Sequence, residues 1–177
     1  MHRTVTTVII SVTVVALGIC CAVAEHKSAE FSEHTGGQKA KILDIKGAQY
    51  RAQWQDDYNY DTPILIDDHN SLNTFLNQHQ HQNDFENALR EKFDESFFEN
   101  SVIYAYVKSE PSGSNQLKVD RAVLKENVLE LHMINIIPEM GTMDMAARVC
   151  FFGIRRADLE GVESVEARIE VKREELE

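Results

Sequence analysis

The stretch SVIYAYVKSEPSGSNQLKVDRAVLKENVLELHMINII, residues 101–137, decides the fold. Leu117, Val119, Arg121 and Val123 alternate with Lys118 and Asp120, the period of two that marks a strand with one buried face. Val102–Lys108 reads as the strand before it, and Ser109–Ser114 (SEPSGS) as a turn rich in Pro, Gly and Ser. Lys125-Glu126-Asn127 predicts a short hairpin loop, and the nearly unbroken apolar run Val128–Ile137 a central strand. Pro138–Met143 (PEMGTM) ends that run, and Ala146–Ile154 is the next strand. Val165, Ala167, Ile169 and Val171 then alternate with Glu166, Arg168, Glu170 and Lys172, a charged face that suits an edge strand. Strands joined by such short turns are expected to be antiparallel neighbours.

Upstream the period is different. Gly47–Trp54 shows partial alternation, Gln55–Asp61 is an acidic aromatic turn, and Pro63–Ile66 is a short apolar strand. Leu72, Phe75 and Leu76 form one apolar stripe on a helix that Ser71 can cap. Phe85, Leu89 and Phe93 repeat every four residues on a second helix, about Asp84–Phe93. The expected fold is α+β: an antiparallel β-sheet of about five to six strands with one or two helices packed on one face.

Residues 1–24 carry no acid, an apolar centre from Val12 to Ile19, and Ala22-Val23-Ala24 at the end. That is the pattern of a secretory signal cleaved after Ala24, with an uncleaved anchor or a lipid on Cys20 or Cys21 as alternatives. Glu25–Lys41 reads as a flexible linker, and residues 42–177 as a single globular domain. Removing residues 1–24 leaves Cys150 as the single thiol, so an exported form would rest on its core without disulfides. The full chain of 177 residues has a net charge of -11, which excludes a nucleic-acid binder that needs a basic face. The membrane is expected to be met only through the N-terminal segment.

The familiar catalytic signatures G-x-S-x-G, P-loop, H-E-x-x-H and C-x-x-C are absent from the sequence. Three constellations could carry chemistry, each with a plainer reading. Cys150 and His132 would face each other if their strands paired about Gly141, giving a nucleophile and base; otherwise Cys150 is a small buried hydrophobe. Asp57-x-Asn59-x-Asp61 opens like a calcium loop, but Thr62 replaces the glycine and Asp68 the glutamate of that motif. His69, His79 and His81 could ligate zinc, or be solvated loop residues among Asn and Gln. The balance of these readings is no catalytic residue, no metal site and no cofactor.

Two small-residue loops remain, at strand ends where binding residues usually sit. Ser112, Gly113 and Ser114 belong to the first; Gly141, Thr142, Met143 and Asp144 belong to the second, with Met140 beside them as adaptable apolar surface. The bland alternative is two ordinary connections with Met145 tucked into the core.

These loops also carry a resemblance. Phe93-Asp94-Glu95-Ser96-Phe97-Phe98-Glu99-Asn100, then Pro111-Ser112-Gly113-Ser114, then Pro138–Ala146 resemble a group of small secreted bacterial proteins, many of them lipoproteins, distantly similar to the protease-complex regulatory subunit PrcB. The likeness spans about Pro63 to Lys172. It implies a β-rich, non-enzymatic accessory or inhibitory module of an extracellular protein. The chain departs from that pattern in having Pro-Ser-Gly-Ser where the PrcB-type loop has Thr-Gly-Gly-Tyr, and in lacking a lipobox. The expected function is an exported non-enzymatic binding module whose partner is another extracellular or envelope protein, with protease regulation as what the resemblance implies. The alternatives are an envelope-anchored structural or solute-binding domain and, more remotely, a Cys/His hydrolase.

Overall fold

The computed structural model describes residues 40–79 and 85–174; the expected signal segment and the stretch containing His81 lie outside them. The strands are β1 (Ala40–Leu43), β2 (Lys46–Gln53), β3 (Ile64–Ile66), β4 (Ser101–Glu110), β5 (Gln116–Lys125), β6 (Val128–Ile137), β7 (Ala146–Arg155) and β8 (Ser164–Arg173). The helices are α1 (His69–Gln78), α2 (Phe85–Lys92) and α3 (Glu95–Asn100), with a 3₁₀ turn at Arg156–Leu159. The α+β class therefore holds, but the described strands number eight and form two sheets. One runs β2-β7-β4-β3, the other β1-β5-β6-β8.

The reason lies in β4 and β7. Ile103, Ala105 and Val107 of β4, with Ala147, Val149 and Phe151 of β7, join a core that includes Leu72, Phe75, Leu76, Leu89 and Phe93 of the helical segment. The alternate residues Tyr106, Cys150, Phe152 and Ile154 join Leu117, Leu129, Leu131 and Met133 of the second sheet. Both faces of these strands are apolar, so both need a cover. Helices on one face of a single sheet would have left Cys150, Phe152 and Ile154 in water, whereas each is at most 1% exposed.

This changes the expected connections. Only β5 and β6 are joined by a short loop and also paired, Lys125 opposite Val128. β4 pairs with β7 and β3, not with β5. The loop after β4 and the loop after β6 both pass from one sheet to the other. β8 returns to lie parallel to β6 as an edge strand, Val128 opposite Ser164. The sequence placed β6 centrally, and it does lie between β5 and β8, but only Leu129, Leu131, Met133 and Asn135 face inward.

The helix starts differ from the expected ones. Asp68 caps α1, accepting from Ser71 N at 2.8 Å and Ser71 Oγ at 2.9 Å, so Ser71 is the residue capped rather than the cap. These bonds hold the Asp68 carboxyl below the usual carboxylate range. Asp94 caps the short α3 in the same way, accepting from Phe97 N at 2.9 Å. Ala40 and Lys41, expected at the end of the linker, are strand residues paired with Lys125 and Leu124 of β5.

Phe151 sits at the middle of the helix-covered face. Its ring centroid is 5.5 Å from Phe75, 5.8 Å from Tyr50 and 6.1 Å from Phe93. At Gly153 the helical segment comes so close that a Cβ would lie 2.8 Å from Phe97 and 3.0 Å from Phe93. Truncating Phe151 to Ala leaves a void that rigid neighbours on three sides cannot close, and the expected loss is about 3–5 kcal/mol in urea unfolding. A loss below about 1 kcal/mol would mean that this face is loosely packed.

Candidate functional site

The loop residues read from the sequence come from different crossovers, yet the fold brings them together. The Ser112 and Ser114 hydroxyls are 2.8 Å apart, and the backbone N–H of Thr142 donates to both, at 2.9 Å and 3.2 Å. A Cβ on Gly141 would lie 2.9 Å from Ser112 Oγ, and one on Gly113 would lie 2.3 Å from Asp144 Oδ2. Glycine at both positions leaves room for these side chains, Ser112 at Gly141 and the tips of Asp144 and Arg51 at Gly113. Asp144 in turn pairs with Arg51 of β2. Hydrogen bonding from Thr142, then from Arg51, keeps the Asp144 carboxyl below the usual carboxylate range despite some desolvation.

Beneath the loops lies a polar layer that the sequence did not announce. Glu110, at the end of β4, is 1% exposed. Its carboxylate accepts from Asn115 at 2.6 Å and Asn135 at 2.8 Å, and pairs with Lys108 at 2.9 Å. A buried carboxylate is costly unless so satisfied, and here the satisfaction ties both ends of the first loop to β6. Strand register adds a row of cations: Arg148 of β7 stands opposite Arg51 on one side and Lys108 on the other. Arg148 Nη2 donates to the carbonyl of Gly113, and its Nε is buried without a partner. Burial first, then the neighbouring Arg51, pulls the Arg148 guanidinium below its ordinary range.

Above this layer three methionines face solvent. Met143 is fully exposed, Met140 is 77% exposed, and Met145 is half exposed rather than tucked into the core.

The other candidates separate. Cys150 faces the inter-sheet core, where burial pushes its thiol up, and its nearest polar contact is the carbonyl of Leu117 at 3.8 Å. Its strand neighbours are Gln49 and Tyr106; those of His132 are Arg121 and Arg168. His132 lies on the alternate face of β6 from the core residues, beside Glu130 at 3.1 Å. The expected opposition about Gly141 fails because β6 and β7 belong to different sheets. Asp61 accepts a hydrogen bond from Tyr106 Oη at 3.0 Å. Among the described residues no group of three or more His, Cys, Asp or Glu could share a metal ion.

His79, read from the sequence as solvated, is buried. Its ring stacks on Phe75 with centroids 4.0 Å apart and lies 4.3 Å from Tyr58. Phe75 O can only accept, so His79 Nδ1 carries the proton of the 2.9 Å bond between them. The polar neighbours Gln78 and Gln80 hid this burial, because His79 caps the C-terminus of α1 and its ring lies back on Phe75, on the helix's own apolar face.

No family model matches the chain, nor does any curated protein or solved structure. Among the described residues no helix is long and apolar enough to cross a membrane.

Burial lowers the His79 pKa from its unfolded value near 6.5, so the unfolded chain binds the proton more tightly. The stability tied to neutral His79 is complete above pH of about 6.5 and falls as the pH is lowered through that value. Urea unfolding at pH 7.5 and 5.0 should show this loss, and His79→Phe should diminish it. For Gly113→Ala, the displaced atoms are flexible tips of Arg51 and Asp144, so stability should fall by no more than about 1 kcal/mol. The Asp144 carboxyl should nonetheless titrate closer to an ordinary aspartate by NMR.

Proposed function

We propose that the protein is a binding module that engages another protein through the paired loops Pro111–Asn115 and Pro138–Met145. The observation that carries this reading is a hydrogen-bonded loop platform with an apolar top. Ser112, Ser114 and Thr142 join the loops, Glu110 anchors them from below, and Met140, Met143 and Met145 are left in solvent. Unbranched thioether side chains adapt to a partner's surface, and fixed backbone beneath them lowers the entropy lost on docking. Export through the N-terminal segment would make the partner an extracellular or envelope protein. The resemblance to the PrcB group makes an extracellular or envelope protease the first candidate. An enzyme is not the favoured reading, since Cys150 and His132 lie on different faces of different sheets.

The test is capture from the envelope and culture medium of the producing organism, with the full chain as bait. Beside it runs a variant with Ser112, Ser114, Thr142 and Met143 changed to alanine. A protein held by the first and lost from the second, with the variant's circular dichroism unchanged, is the expected result. Equal retention by both baits would remove the loops from the interface.

A further inference from the structure

Next to the loops, a groove of about 430 Å³ opens between β2 and β5, with Gln49, Arg51, Ser114, Lys118 and Arg148 in its lining. Its charge is opposite to that of the chain as a whole. Arg51, Lys118 and Arg148 contribute three cations in a protein of net charge -11. The nearby carboxylates are already engaged: Asp144 by Arg51, and Glu110 by Lys108, Asn115 and Asn135. Arg148 feels the charges of Glu110 and Asp144, but its hydrogen bond goes to the neutral carbonyl of Gly113 and its buried Nε meets no partner. A guanidinium has five donors in a planar fork that suits a carboxylate.

The walls suggest the shape of what enters. β2 is the edge strand of its sheet. β1 pairs with β5 only over Ala122–Lys125, so Gln116–Lys118 lie beyond its reach on that side. Two strand edges with hydrogen-bonding capacity thus flank a cationic trough, the arrangement that receives an extended peptide by strand addition. A phosphate polymer is a poor match, because three cations in one short groove, one of them already paired with Asp144, cannot follow the row of charges along its backbone.

We propose that this groove holds an extended acidic segment of the partner protein, with Arg148 and Arg51 receiving a carboxylate and Lys118 steering it from the rim. The inference rests on the protein-binding reading above and supplies the chemistry of the partner. The methionines would then give apolar contact at the loop tips, while the groove selects for charge.

The test is a positional-scanning library of immobilised octapeptides probed with the full chain. It is run beside Arg148→Gln, Lys118→Glu and Met140→Ser/Met143→Ser. The wild type should select Asp or Glu at one or more positions. Arg148→Gln should reduce binding of the selected acidic peptide at least tenfold, and Lys118→Glu several-fold. Lys118 is exposed, so its variant keeps the test meaningful if Arg148→Gln melts at a lower temperature. The methionine variant should keep the acidic preference. Selection without acidic preference, or acidic binding unchanged by both charge variants, overturns the groove and leaves the loop platform standing. No selection, with glutarate shifting the Arg148 Nε–H resonance, overturns the peptide in favour of a small organic acid. Acidic selection without any loop-dependent capture from envelope or medium would instead sink the loop reading and keep the groove.

Discussion

Two strands that are apolar on both faces govern this structure. Along β4 and β7, alternate side chains go to the helices and to the second sheet, with Phe151 on one side and Phe152 on the other. Burial of apolar area is the main favourable term in folding, and a doubly apolar strand can satisfy it only between two covers. The helical segment supplies one and β5, β6 and β1 the other. The remaining architecture follows as chain routing: each passage into or out of β4 and β7 is a crossover between layers.

That routing also places the candidate site. The chain leaves β4 for the second sheet at Pro111 and returns from it to β7 at Met145, so the two crossing loops meet at one end of the sandwich. Loops that cross between layers cannot pair as hairpins, so their backbone polar groups need other partners. Ser112 and Ser114 accept from the Thr142 N–H, and Arg148 donates to the Gly113 carbonyl, while Glu110 holds the Asn115 side chain from below. These contacts are a consequence of the sandwich, and the proposed binding surface is built on them.

Charge follows from the same geometry. Arg51, Arg148 and Lys108 are far apart in sequence but adjacent across three strands. Like charges directly opposite are unfavourable, and Asp144 and Glu110 offset only part of the repulsion. The remaining positive charge at this corner of an acidic protein is the ground for the proposed acidic partner.

Several features were legible in the residues alone. The period of two announced β5 and β8, the stripe Leu72-Phe75-Leu76 announced α1, and the small residues around Gly113 and Gly141 marked the loops that meet. Glu110, Arg51, Arg148 and Asn135 gave no such signal, because their roles depend on strand register. The burial of His79 was masked by polar neighbours for a related reason: a ring folded back on its own helix depends on backbone direction and not on local composition. Local pattern determines which face of a strand is apolar, since alternation is built into the backbone. Which strands become neighbours is decided only when each apolar face finds its cover. That is why short turns suggested one sheet and tertiary packing produced two.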